Sequence, residues 1–214
     1  RNYFQYASEE PAKLKIKTIM NDSKTPVILA SQSPRRIELL KQIVNNFQVI
    51  PSEIDEVCNT DLSPEENAAS LGQQKADWVA KQHPGHWVIG ADTLVVLENE
   101  IIGKPADVED ACQILRRLSG REHKVITGIA VIHSKAFSAA TVSKVRIKPL
   151  TEEEIVAYVN SGEPMDKAGA YAIQGIGSSL VKGYDGSYSN IVGLPVDALK
   201  DLLRKADFPS DSKS

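Results

Sequence analysis

The chain has 214 residues, 42% hydrophobic and 25% charged, with a net charge of -3 and a pI near 5.9. That is ample for one compact α/β domain, or one domain with two lobes. The acidic balance argues against a duplex-binding surface, and aromatic residues, at 6%, are too sparse for a single-strand stacking platform. No apolar run approaches the roughly 18 residues needed to span a membrane, so no membrane association is expected. The only cysteines are Cys58 and Cys112. They form no disulfide framework and fit a reducing compartment, so a soluble cytoplasmic protein is expected.

In chain order, residues 1–19 lack the apolar centre of a secretory signal, and Met20 reads as a native start. We expect residues 1–25 to be a poorly structured leader or added segment, 26–207 to be the domain, and 208–214 a polar tail. PVILASQSPRRIELL then gives a buried strand from Val27 to Ala30, and a helix capped by Ser33 with Pro34 in its first position. A second strand spans Phe47 to Pro51. Ser63 and Glu66 form a capping box for a helix that stops at Pro84-Gly85. HWVIGADTLVVL is one strand, or two broken at Gly90, and turns through ENE into IIGKP. Asp107 caps a helix ending at Ser119-Gly120, in which Cys112 falls on the apolar face. Residues 123–133 and 141–148 form a strand pair, and Thr151 with Glu154 caps the next helix. EPMDKAGAY to NIVGLP reads as loop and short strand, and VDALKDLLRKA as a closing helix. The pattern predicts a mixed sheet flanked by helices.

Four groups resist an explanation by folding alone. Ser31, Ser33, Arg35 and Arg36 sit at a strand-to-helix junction, where cations oppose the helix dipole. They suit a phosphate cradle; an outward pairing of the arginines with Glu38 or Glu53 remains the alternative. Lys75 lies on the apolar stripe of its helix, and either snorkels to the surface or reaches into a polar cleft. Asp92, in GADT, needs a cation, a metal or a substrate if it is buried. Lys104, across the predicted hairpin, is the cation available to it. Glu163, Asp166, Lys167 and Gln174 alternate acid, base and amide in a way turn chemistry does not require. With Glu53, Asp55, Glu56, Asp92 and Asp166 as oxygen donors for a hard cation, these residues point to chemistry on a phosphate ester or anhydride. The four histidines form no metal pattern.

LASQSPRR, IDE, the helical QKA, GADT, GKP, LSGREHKVITG, EPMDKAGAY with IQG, and NIVGLP occur in this order. In this order they resemble the Maf family of nucleoside triphosphate pyrophosphatases, the septum-formation inhibitor proteins. The resemblance covers about residues 26–204. It implies an elongated mixed α/β fold with two lobes around a deep cleft, similar to the inosine triphosphate pyrophosphatases. It implies Asp92 as proton acceptor, Ser31, Ser33 and Arg36 as phosphate ligands, and Lys75 and Lys104 as cleft lysines. Glu56 is implied as a metal ligand beside Asp92, and Asp166 and Lys167 as further substrate-binding residues. Mg²⁺ or Mn²⁺ is the implied cofactor. A nucleoside triphosphate is the implied substrate, and homodimers are common in the family.

Arg35, Thr93 and Gln174 match the subgroup that hydrolyses dTTP and UTP. The subgroup preferring 7-methyl-GTP would carry Trp and Glu in place of Arg35 and Gln174. Departures from the family pattern are slight: Ile147, Ala172, and a short loop between Ile132 and Val142. Two rivals stand beside the enzyme. One is a nucleotide-binding regulator of cell division that hydrolyses little or nothing. The other is a nucleic-acid module using Arg35, Arg36, Arg116 and Arg117, which the negative net charge opposes.

Overall fold

The computed structural model describes residues 26–209. The expected leader, 1–25, and residues 210–214 of the expected tail lie outside the described residues. The elements run β1 (Val27–Leu29), α1 (Pro34–Lys41), β2 (Gln48–Val49), α2 (Pro64–Gln82), β3 (Trp87–Leu97), β4 (Glu100–Ile102), α3 (Val108–Leu118), β5 (Glu122–Ile132), β6 (Ala136–Ile147) and α4 (Glu152–Asn160). Three 3-10 turns follow, Glu163–Asp166, Ala168–Ala170 and Gly175–Leu180, and then β7 (Val181–Asp185), α5 (Tyr188–Val192) and α6 (Val196–Lys205).

The strands form one seven-stranded mixed sheet in the order β2-β1-β3-β5-β6-β7, with β4 paired to β3. β1 runs parallel to β2 and β3, whereas β3/β4 and β6/β7 are antiparallel. The chain is thus a mixed α/β sheet flanked by helices, as its pattern predicts. No helix among the described residues is long and apolar enough to cross a membrane.

Helix starts match their caps closely. Ser33, Ser63, Asp107 and Thr151 each accept a hydrogen bond from the backbone N–H three residues on, and both predicted capping boxes are closed. Two details differ from expectation, and one open alternative is decided. The second strand shrinks to Gln48–Val49, and β6 starts at Ala136, several residues early. Gly90 does not break β3, which continues unbroken for 11 residues.

The chain divides into two compact units, crossing between them after Asp92 in β3, Ile126 in β5, Thr141 in β6 and Val192. In the first unit (26–92, 127–141 and 193–209) the period-2 geometry of the strands sorts the core. Val27, Leu29, Ile89, Ala91, Ile129 and Val131 join one apolar cluster with residues of α1 and α6. Ile28, Ala30, Val88, Ala130 and Ile132 join a second with Ala76 and Val79 of α2. Trp87 stacks on His133 with ring centroids 4.3 Å apart and meets Phe208 edge-on at 5.0 Å. Phe208 is therefore part of the core, one residue beyond the expected end of the domain.

Helix α2 lies almost in contact with the backbone of β3 and β5. A Cβ on Gly90 would stand 2.2 Å from the Gly72 carbonyl oxygen, and one on Gly128 would stand 1.9 Å from that of Ala68. Only glycine permits such an approach.

The second unit (Thr93–Ile126 and Val142–Val192) packs α3, through Ala111, Cys112, Leu115 and Leu118, near α4. Asn190, fully buried, ties α5 to two strands by donating to the Val125 carbonyl at 3.0 Å and the Ser143 hydroxyl at 2.9 Å. His123 Nε2 and the Tyr171 hydroxyl share a buried hydrogen bond of 2.7 Å, while His123 Nδ1 has no partner. Burial pushes the His123 imidazole down to about 4.

Two predictions follow from this packing. Gly128→Ala should cost about 3 kcal/mol in urea unfolding, because neither backbone can retreat. Gly103→Ala, where a methyl meets nothing within 4 Å, should stay within about 0.5 kcal/mol of wild type. The unfolded chain protonates His123 near 6.5 and the folded chain only near 4. Its stabilisation is therefore complete above pH 6.5 and is lost as pH falls towards 4, by about 3 kcal/mol. His123→Gln should flatten that part of a stability–pH curve measured by chemical denaturation.

Candidate active site

Asp92 sits on the face of β3 shared by Val88 and Gly90, the face that meets α2. On α2, Ala68, Leu71, Gly72, Lys75, Ala76 and Val79 form the buried stripe, so Lys75 is aimed at the sheet. Its ammonium donates to Asp92 Oδ1 at 2.5 Å and to Glu56 Oε1 at 2.7 Å. Both Lys75 and Asp92 are buried, while Glu56 is partly exposed.

Lys75 therefore does not snorkel. The cation that Asp92 requires is Lys75 from the packed helix, not Lys104 from the hairpin. Lys104 is exposed. Gly103, just before it, accepts a hydrogen bond through its carbonyl from Gly169 N–H at 2.9 Å.

The strand-to-helix junction supplies the other half of the constellation. Ser31, buried, accepts through its hydroxyl from the Ser33 N–H at 3.3 Å and from Arg36 Nη1 at 3.2 Å. Arg36 Nε donates to the Gly193 carbonyl at 2.8 Å. The guanidinium is thus folded back across the junction rather than paired outward with Glu38, which instead bonds Lys41 at 2.7 Å. Burial holds Arg36 below its usual value, while Asp92 and Glu56 pull the other way. Ser31, Arg36, Glu56, Lys75 and Asp92 therefore form one electrostatic group. Arg35, half-buried, has no ion-pair partner among the described residues.

Cys58 lies in the same field. Burial, and then Asp92 and Glu56, push its thiol up, which keeps it protonated and unsuited to nucleophilic attack.

Sequence reasoning missed Asn67 and Gly193. Asn67 is buried on α2 and laces down the loop that carries Glu56 and Cys58. Its Oδ1 accepts from Asn59 N–H at 2.7 Å, and its Nδ2 donates to the carbonyls of Asn59, Leu62 and Ser63. An amide on an apolar helical stripe is the signal that could have exposed it. Gly193 was visible only as part of NIVGLP; its role, orienting Arg36, is a long-range contact.

In the second unit Asp166 and Lys167 belong to one local assembly around Glu163, and Gln174 immediately precedes the Gly175–Leu180 turn that this carboxylate holds. Lys167 Nζ donates to Asp166 Oδ1 and to the Glu163 carbonyl, both at 2.5 Å. Gln174 is exposed, and Thr93, half-buried, follows Asp92 directly in β3. Arg116 and Arg117 are neutralised within this unit, Arg116 by Glu109 and Glu152 and Arg117 by Glu100.

No group of three or more His, Cys, Asp or Glu able to hold a metal occurs among the described residues. Glu56 and Asp92 remain two converging carboxylates, the donor type that holds Mg²⁺ when phosphate oxygens complete its shell.

A family model for Maf-like proteins matches residues 26–206. The chain belongs to the Maf-like protein family. It is 46% identical over 190 residues to the dTTP/UTP pyrophosphatase of Myxococcus xanthus, covering 89% of this chain and 97% of that protein. It is 48% identical to the dTTP/UTP pyrophosphatase of Bacillus velezensis over 84% of this chain and 98% of that one. A more distant likeness is the Staphylococcus aureus Ham1 protein, at a TM-score of 0.49 and 17% identity over 85% of this chain and all of that one.

For this Maf-like protein, Lys75→Met would leave Asp92 buried without its ammonium. The expected loss is about 3 kcal/mol in urea unfolding at neutral pH. Adding Asp92→Asn should recover much of it; equal, additive losses would mean the two side chains are not coupled.

Proposed function

We propose that this Maf-like protein hydrolyses nucleoside triphosphates, dTTP and UTP foremost, to the monophosphate and pyrophosphate. The observation that carries the reading is the buried Lys75 ammonium held between Asp92 and Glu56 beside the Ser31–Arg36 junction. Relatives called dTTP/UTP pyrophosphatase support it at 46% and 48% identity.

Ser31, Ser33 and Arg36 receive the phosphates. The junction offers N–H groups and hydroxyls, and the guanidinium fork suits phosphate oxygens. Lys75 orients Asp92 by bonding Oδ1; the second carboxylate oxygen takes no hydrogen bond among the described residues and is available to a water. Asp92 accepts a proton as that water attacks the α-phosphorus. The bond from the α-phosphorus to the bridging oxygen breaks in line, and pyrophosphate leaves with the bonding electron pair.

Glu56 and Asp92 would hold a divalent cation, Mg²⁺ or Mn²⁺, brought with the nucleotide. When bound it neutralises phosphate charge and polarises the reacting phosphorus. Lys104, Asp166 and Lys167 are assigned as further phosphate contacts, and Arg35, Thr93 and Gln174 as the residues that select the base. The thiol state of Cys58 and Cys112 accords with a cytoplasmic enzyme. Arg116 and Arg117, already matched by carboxylates, weigh against a nucleic-acid surface.

The test is pyrophosphate release from dTTP, UTP, CTP, GTP, 7-methyl-GTP and ITP with Mg²⁺ or Mn²⁺. dTTP and UTP should turn over fastest, and Asp92→Asn should reduce turnover on the order of 100-fold or more while nucleotide still binds. Release of orthophosphate in place of pyrophosphate would refute attack at the α-phosphorus.

A further inference from the structure

The Glu163 carboxylate is a puzzle of placement. Among the described residues it forms no side-chain ion pair, yet it takes three hydrogen bonds. Ile176 N–H donates to Oε2 at 3.0 Å, Gly177 N–H to Oε1 at 2.9 Å, and the Tyr158 hydroxyl to Oε1 at 3.0 Å. Successive backbone N–H groups converging on one anion form a nest, a rigid way to fix a turn. Burial would push the Glu163 carboxyl up, but the bonds from Gly177, Ile176 and Tyr158, with Lys167 nearby, hold it below its usual range.

The turn's sequence is fitted to this carboxylate. Gly175 has φ +68, and a Cβ there would lie 2.7 Å from Glu163 Oε2. A Cβ on Gly177 would lie 2.6 Å from the Tyr158 hydroxyl. Behind the carboxylate, Lys167 Nζ grips the Glu163 carbonyl. The residues facing outward are left unconstrained: Gln174 makes no side-chain bond to the turn, and Ile176 is 56% exposed. The chain thus fixes this backbone tightly while leaving an amide and an apolar side chain available.

We propose that Glu163 is a positioning residue for base selection, its carboxylate fixing the Gly175–Gly177 turn and thereby the direction in which Gln174 presents its amide. The inference rests on the assignment of Gln174 as a base contact. Uracil and thymine carry a carbonyl where cytosine carries an amine, so the direction of one amide distinguishes UTP from CTP.

Glu163→Gln tests it, because a carboxamide has one acceptor oxygen where the nest uses two, so one N–H loses its bond. Amide exchange at Ile176 and Gly177 should quicken. The ratio of kcat/KM for UTP over CTP should fall about tenfold, the worth of one misdirected hydrogen bond. A merely structural loss would lower both substrates together and leave the ratio unchanged. If Glu163→Gln fails to fold, Gly175→Ala displaces the same carboxylate from the other side and should reproduce the fall. A ratio that holds in Glu163→Gln despite faster exchange, while Gln174→Ala lowers it, overturns the proposal alone. A ratio unmoved by Gln174→Ala overturns the base-contact assignment and the proposal with it.

Discussion

The backbone-to-backbone approach of α2 to β3 and β5 is the constraint on which the site depends. Gly72, Gly90 and Gly128 remove the side chains that would hold the helix off the sheet. Lys75 lies three residues after Gly72 on the helix, and Asp92 two after Gly90 on the strand. With the helix that close, the lysine reaches its carboxylate within the packed layer instead of bending around it. A few tenths of an ångström added at any of the three glycines would be felt at the ion pair, because close-packed interiors transmit strain rather than absorb it. Packing and chemistry are one feature here.

Electrostatically, the first unit gathers Arg36 and Lys75 against Glu56 and Asp92, two charges of each sign. Removing such a set from water is costly, and a well-packed apolar set would often be at least as stable. A triphosphate brings roughly four negative charges. Against a balanced protein site that charge would go uncompensated, and under the proposed function one divalent cation at the two carboxylates would offset about half of it. The second unit treats its charges differently: Arg116, Arg117 and Arg121 pair with carboxylates at partly exposed positions, where each pair adds little to stability.

What could be read from the sequence follows the range of the interaction. Caps at Ser33, Ser63, Asp107 and Thr151 involve residues three apart, and each is legible. So is the period-2 run of β3 and the apolar stripe of α2. The partner of Asp92 was not legible, because Lys75 stands 17 residues away on another element and only the packed helix brings it near. Hairpin adjacency suggested Lys104, which is the right kind of local reasoning applied to a long-range contact. Gly128 looked like any glycine in a strand, and Gly90 left one strand or two open, since nothing local records the helix lying against them. Asn67 and Glu163 are loop-fastening residues, whose role appears only once the loops they hold are placed. The family resemblance pointed to Ser31, Arg36, Glu56, Lys75 and Asp92 without supplying the contacts that bring them together.

The stacked pair of Trp87 and His133, closed edge-on by Phe208, has a practical corollary. Trp87 stands at the start of the strand that carries Asp92, and Phe208 stands just beyond α6. The chain has only one other tryptophan, Trp78. An indole packed between an imidazole and a phenyl ring emits differently from one in water, so the emission of Trp87 reports on whether Phe208, and the end of α6 with it, is seated. The protein carries an optical gauge of its own packing, readable without a dye.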